Sequence, residues 1–302
     1  MRTRSLVKSR PGTTIIEVLV AISCGCIILF LVMVPALTPR RSHCTRQIKD
    51  STQIRGVHQG MVLFAASNRD KYPMPSIDDK DNKTIAAPDP SSKDTTANIY
   101  SMLIYGNYFS PELMASPAEQ SANIEVDTDY HLTTPPNTID PANALWDPTF
   151  AADFTNPKVK GNTSYAHHFP AADRHDRWNN TLQSNEAIVG NRGPQITAVD
   201  SSSKTIKPQF AIPNSVTLSI HGSRTTWEGN IAYNDNHVNF ETNVFTDAAT
   251  YPLASPTPNA KPIYKPDVFF FDEPDANNRD NAFMSIFTKA GPTTNDFSAI
   301  WD

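Results

Sequence analysis

An uncharged, largely apolar run near the N-terminus constrains this chain more than any other feature. It extends from Val18 to Leu37, 20 residues, and it follows a short segment, 1–12, that carries four basic side chains and no acid. About 20 apolar residues in a helix reach across the hydrocarbon core of a bilayer. The pattern therefore predicts a membrane-spanning helix behind a basic leader.

A cleaved secretory signal peptide also has a basic start and an apolar core, but its cleavage site follows the core and needs small residues. Here that region contains Pro35, Leu37 and Pro39, which fit such a site poorly. Neither a signal peptide nor a plain anchor accounts for Glu17. A carboxylate within a span costs roughly 2.5–3.5 kcal/mol on insertion scales, so Glu17 needs a partner.

The segment Gly12-Thr13-Thr14-Ile15-Ile16-Glu17-Val18-Leu19-Val20-Ala21 resembles the cleavage and methylation motif of type IV prepilins and type II secretion pseudopilins. The resemblance implies that prepilin peptidase cuts after Gly12 and methylates the new N-terminus, Thr13. It also implies that Glu17 pairs with the terminal amine of a neighbouring subunit. Mature chains of this family usually begin with phenylalanine or methionine, so Thr13 is a departure.

The same resemblance implies a structural subunit of a secretion pseudopilus or pilus, not an enzyme. The expected location is the inner membrane, with a single span, a cytoplasmic N-terminus before processing, and a periplasmic or extracellular C-terminal domain. The implied partners are prepilin peptidase, other pilin or pseudopilin subunits, the inner-membrane assembly platform and membrane lipid. The chain has 26 Lys and Arg against 31 Asp and Glu, a net charge of −5, which argues against nucleic-acid binding.

The predicted organisation has four parts: a leader over 1–12, a transmembrane and assembly helix over 13–38, an amphipathic continuation over 39–72, and an exported globular domain over 73–302. In the continuation, apolar residues such as Ile54, Val57 and Met61 mark one helical face. Polar residues, including Lys49 and Asp50, are assigned to the other faces.

The predicted fold class is α+β, pilin-like: a long N-terminal transmembrane helix packed on an antiparallel β-sheet, with long loop insertions. Alternation through Val216, Leu218 and Ile220 predicts a strand. Residues 230–240 predict a hairpin whose turn contains Asn236 in a left-handed position, and this hairpin is expected at the centre of the sheet. Segments 76–100, 119–160 and 246–282 are rich in Pro, Asp, Asn, Thr and Ser and are predicted to be surface loops.

Two clusters could bind metal. His167-His168 lies near His175-Asp176, but neighbouring histidines on a strand point to opposite faces, which argues against one shared ion. The acidic loop over 272–280 offers oxygen ligands for calcium, yet it lacks the spacing and the glycine of an EF-hand. A solvated loop is the favoured interpretation, and no metal site is predicted.

Enzyme signatures are scarce in the sequence: it contains no H-E-x-x-H, no G-x-S-x-G and no P-loop, and the S-x-x-K match at 201–204 lacks its companion motifs. Two further functions are kept as alternatives. One is a non-polymerising, membrane-anchored binding domain, and the other, ranked after it, is a tethered hydrolase.

Overall fold

The computed structural model describes residues 14–37, 40–170, 174, 177–200, 206–254 and 261–302, without the side chains from 30 to 44. The chain divides into two compact units, Met1–Cys44 and Thr45–Asp302. Four α-helices occur in the described residues: α1 (Ile15–Leu37), α2 (Arg40–Ser67), α3 (Pro75–Asp78) and α4 (Thr96–Tyr105).

The predicted fold class is wrong in its main element. In the part of the chain that the structure describes, no helix has both the length and the apolar character needed to cross a membrane. The helix that packs on a sheet is α2, not a single long N-terminal helix.

The larger unit is built on a six-stranded antiparallel sheet with strand order β10-β9-β1-β2-β5-β6. Its strands are β1 (Tyr165–His168), β2 (Ala187–Asn191), β5 (Gly229–Tyr233), β6 (Val238–Glu241), β9 (Met284–Lys289) and β10 (Ser298–Ile300). Two smaller sheets pair β3 (Ile196–Asp200) with β4 (Lys207–Phe210), and β7 (Phe245–Pro252) with β8 (Tyr264–Val268).

A hydrophobic core forms between α2, α4 and the main sheet. Helix α2 contributes buried side chains at steps of three and four residues, Ile54, Val57 and Met61, as an amphipathic helix requires. Strand β1 contributes Tyr165 to this core, while its neighbour Ala166 belongs to a second core with Trp227. The main sheet is therefore covered on both faces.

The hairpin predicted over 230–240 is confirmed, but its predicted place in the sheet is wrong. Asn230 pairs with Phe240 and Ala232 with Val238, and Asn236 has a φ of 67°. Asparagine tolerates this left-handed conformation better than most residues, which is why the turn forms without glycine. The hairpin lies at one edge of the sheet, because β1 and β2 take the middle positions.

The strand predicted around Val216 is also wrong, since Val216–Ser219 is a 3-10 helix. The hydroxyl oxygen of Ser215 accepts a hydrogen bond from the Thr217 N–H at 3.3 Å and caps this helix. Serine side chains compete in this way with extended structure. The adjacent residues Thr217 and Leu218 are both buried, which the alternating faces of a half-exposed strand would not allow.

The three predicted loops differ in outcome. Residues 119–160 contain no α-helix or strand, as predicted, but Trp146 and Phe154 from this stretch are buried core residues. The prediction of surface loops is wrong for the other two segments, 76–100 and 246–282. Helix α4 begins within 76–100, and 246–282 contains β8 and all of β7 except its first residue. Burial of aromatic side chains explains why these polar segments are ordered parts of the fold.

Close packing on α2 yields a stability prediction. A Cβ added at Gly60 would lie 2.5 Å from the Phe109 ring, whereas at Gly56 the nearest atom is a Leu113 methyl at 3.0 Å. Gly60→Ala should lower the free energy of unfolding by about 1–3 kcal/mol through overpacking. Gly56→Ala, the matched control, should be neutral or stabilising by up to about 1 kcal/mol, because alanine favours helix. Urea denaturation measures both, and equal stabilisation by the two substitutions would contradict the packing argument.

Candidate functional site

The residues predicted from the leader motif divide into two sets. Gly12 and Thr13 lie outside the residues that the structure describes, so the predicted cleavage and methylation positions stay predictions. Glu17 lies in the first turn of α1 and is exposed.

Glu17 forms a reciprocal cap at the start of α1. Its Oε2 accepts a hydrogen bond from the Thr14 N–H at 2.9 Å, and the Glu17 N–H donates to Thr14 Oγ1 at 3.4 Å. This is a capping box, in which a Ser or Thr and a Glu three residues later satisfy two backbone donors. The sequence Thr14-x-x-Glu17 contains that signal, and reading Glu17 only as an intramembrane acid overlooked it.

The part of α1 that follows the cap is apolar and exposed. Every residue from 14 to 29 is exposed, including Ile15 at 81% and Leu29 at 64%. Contiguous exposed apolar surface of this kind marks an interaction site. This surface, residues 15–29 with Glu17 at its head, is called the assembly surface below, and it is the candidate functional site.

In the larger unit, the carboxylate of Asp50 on α2 contacts four other side chains. Asp50 is completely buried, so its assignment to a face of the helix other than the buried one is wrong. Its Oδ1 accepts hydrogen bonds from Ser116 Oγ and, at 3.0 Å, from Tyr165 Oη. Its Oδ2 accepts from Asn230 Nδ2 at 2.7 Å and contacts His221 Nε2 at 3.1 Å. Asp50 lies four residues before Ile54, a spacing that puts both side chains on the same face of the helix. This spacing was the signal in the sequence that Asp50 is buried.

The group around Asp50 contains a serine, a histidine and an aspartate, but not in the order of a nucleophilic triad. In such a triad the histidine lies between the hydroxyl and the carboxylate. Here Ser116 donates directly to Asp50, and His221 contacts the other carboxylate oxygen. All three are buried, so this arrangement is suited to holding α2 against the sheet.

A second buried polar contact lies two helical turns along α2. His58 Nε2 is 3.1 Å from Tyr72 Oη, and His58 Nδ1 is 3.1 Å from Asn236 Oδ1 in the hairpin turn. Tyr72 in turn donates to Asn234 at 2.7 Å. Burial lowers the pKa of His58 and raises that of Tyr72, so both groups are held neutral. The turn of the edge hairpin is thereby fixed to α2.

The histidines predicted to lie on opposite faces do so. His167 Nε2 is 2.8 Å from Thr96 Oγ1 on α4, whereas His168 lines a small cavity with Asp267 on the other face. His175 and Asp176 lie outside the described residues. His237 stacks on Tyr233, with ring centroids 4.5 Å apart.

Three acids of the 272–280 loop are paired with cations of the chain. Asp272 accepts from Arg174 at 2.6 Å, Asp275 from Lys265 at 2.7 Å, and Asp280 pairs with Arg177 at 2.6 Å. In the part of the chain that the structure describes, no group of three His, Cys, Asp or Glu side chains is placed to hold a metal ion.

Two carboxyl groups are buried, Glu273 in this loop and Asp267 before it. Glu273 accepts from the Val268 N–H at 2.9 Å and from Asn281 Nδ2 at 2.7 Å. Asp267 accepts from the Ala282 N–H at 2.7 Å, but its Oδ1 has no partner. Burial raises the pKa of both groups, and the charge of Asp267 raises that of Glu273 further. Protonation of this pair is therefore favoured in the folded protein.

The buried pair predicts a pH dependence of stability. Because the folded pKa values lie above the unfolded values of about 4, stability is fully present below pH 4 and is lost as pH rises through the folded pKa values. Asp267→Asn should reduce the fall in the free energy of unfolding with pH. The expected gain at high pH is about 1.4 kcal/mol for each pKa unit by which the folded pKa of Asp267 exceeds its unfolded pKa. Urea denaturation from pH 4 to pH 9 measures it.

The control for this experiment is Asp81→Asn, since the Asp81 side chain is 79% exposed. Its pH profile should match that of the original protein. A profile for Asp267→Asn that falls as steeply as that of the original protein would show that this carboxyl group is not destabilised by burial.

Comparison of the chain with protein-family models, with curated proteins and with solved structures finds no match in any of the three.

Proposed function

We propose that this protein is a pilin-like or pseudopilin-like structural subunit that assembles into a filament through the N-terminal assembly surface. The observation that carries the proposal is the exposure of an apolar helix, residues 15–29, beginning at an ordered, exposed carboxylate, Glu17. Burying apolar surface is favourable by roughly 25 cal/mol per Å², so this helix is stabilised when its apolar side chains pack against another apolar surface.

The leader motif favours a second copy of the same helix as the partner against which this surface packs. Cleavage after Gly12 would create one new amine per subunit, at Thr13, and each subunit also carries one Glu17. A carboxylate and an amine from neighbouring copies can offset each other's desolvation when they pair. One such pair per contact would fix the stagger between neighbouring helices, as a buried polar pair fixes the register of a coiled coil.

Glu17 has two roles in this proposal. In the isolated subunit its carboxylate caps α1 by accepting from the Thr14 N–H. A carboxylate oxygen accepts more than one hydrogen bond, so the cap and an amine from a neighbour are compatible. The cap would then orient the carboxylate before assembly.

Processing and export accompany this function. The proposed partners are prepilin peptidase, other subunits of the filament and an assembly platform at the inner membrane. The globular domain would lie beyond that membrane, in the periplasm or outside the cell. Removal of the basic leader takes four positive charges from the net charge of −5 and leaves −9, as in a soluble acidic domain.

Processing is tested by mass spectrometry of protein from cells that contain a prepilin peptidase. The expected mature N-terminus is Thr13, with one added methyl group. In cells without the peptidase the chain should keep its leader. An N-terminus after Ala36 in both strains would indicate ordinary signal-peptide cleavage and would contradict the proposal.

Assembly is tested by separating the charge of Glu17 from its capping role. Glutamine also serves in a capping box, so Glu17→Gln should keep α1 capped while removing the charge. If the charge pairs with a neighbouring amine, Glu17→Gln should abolish crosslinked ladders, because one unpaired buried charge costs about 3–5 kcal/mol. The measurement is crosslinking in cells at matched expression.

The matched variant is Thr14→Val, which removes the hydroxyl of the cap but leaves the Glu17 charge. It should keep the ladders, with at most about 2 kcal/mol lost from the helix. Full ladders from Glu17→Gln would mean that the carboxylate acts only as a cap, and the charge-pairing mechanism would be abandoned.

A further inference from the structure

A cleft lies at the C-terminal end of α2. Its volume is about 500 Å³, within the range of roughly 300–1,000 Å³ typical of small-molecule sites. Phe64, Tyr72, Met74 and Trp178 form its largely apolar wall. The indole N–H of Trp178 donates to the Pro73 carbonyl at 3.0 Å, which holds this wall in place.

Two cations lie at the rim of the cleft. Arg69 and Lys71 are both exposed, and no acid of the described residues lies within ion-pair distance of either. One acid, Asp78, also lines the cleft. Its carboxylate accepts a hydrogen bond from the Met74 N–H at 3.0 Å, and burial raises its pKa. Among the charged side chains that line the cleft, two are therefore basic and one is acidic.

The backbone at the rim is strained. Arg69 has a φ of 58° and Asp70 a φ of 61°, two consecutive left-handed residues at the end of a helix. Glycine is the usual residue there, because a Cβ makes this conformation unfavourable. Strained non-glycine residues are found at active sites and at ligand-binding sites.

We infer that this cleft binds a small organic carboxylate that carries one apolar group. The apolar group would pack against Phe64 and Met74, and the carboxylate would pair with Arg69 and Lys71. Arginine suits this role because its planar guanidinium can donate two parallel hydrogen bonds to a carboxylate. The inference does not depend on filament assembly.

The test uses N-acetylphenylalanine as the probe and N-acetylphenylalanine amide as its uncharged analogue. Binding to the full chain is followed by NMR of ¹⁵N-labelled tryptophan, since the four tryptophans give separate indole signals and Trp178 lines the cleft. The acid should shift the Trp178 signal in a saturable way, and the amide should bind more weakly. Raising the salt concentration should weaken binding of the acid alone.

Two variants separate a functional arginine from a tolerated one. Arg69→Gly relieves the left-handed strain, so its melting temperature should be equal or higher, while binding of the acid should weaken by roughly fivefold, the effect of losing one exposed ion pair. Asp70→Gly relieves the same kind of strain without removing a cation, and it should bind the acid at least as tightly as the original protein.

Three results would overturn the inference. The first is no shift of the Trp178 signal at probe concentrations up to solubility. The second is equal binding of acid and amide, which would indicate an apolar cleft that does not recognise charge. The third is unchanged binding by Arg69→Gly, which would make the arginine a tolerated surface residue.

Discussion

The larger unit of this protein depends on the buried carboxylate of Asp50. Four side chains from separate parts of the chain converge on it: Ser116, Tyr165, His221 and Asn230. A buried charge is tolerated only when its lone pairs are satisfied, so helix, sheet and loops must all be in place for the group to be stable. This makes the position of α2 on the sheet specific, because a slip along the helix would leave the carboxylate without partners.

The second contact, between His58, Tyr72 and Asn236, extends this arrangement to the end of α2. Together the two contacts hold the helix at both β5 and the turn after it. The cleft lined by Phe64 and Trp178 begins where α2 ends, so its shape follows from the same docking. Arg69 and Lys71 lie at the rim of this cleft, just after the end of α2, whose position on the sheet is set by the two buried contacts.

Polar side chains are used in opposite ways in the two units. In the larger unit they lie inside, where Asp50, Asp267 and Glu273 take part in buried contacts. On α1 the apolar side chains are exposed, and the Glu17 carboxylate lies in the open with a bond to its own backbone. The first arrangement stabilises a folded domain. The second leaves a helix that requires another surface, which is the basis for the proposed assembly.

The sequence by itself determined the features that depend on local chemistry. The hairpin over 230–240, the buried face through Ile54 and Met61, and the opposite faces of His167 and His168 follow from turn residues and from the periods of helix and strand. Tertiary structure decided the rest. It buried Asp50, placed Val216–Ser219 in a 3-10 helix, put the hairpin at a sheet edge, and paired three acids of the 272–280 loop with arginine and lysine side chains. These outcomes depend on partners that are distant in sequence, and no local pattern specifies which partners a polar side chain will meet once the chain has folded.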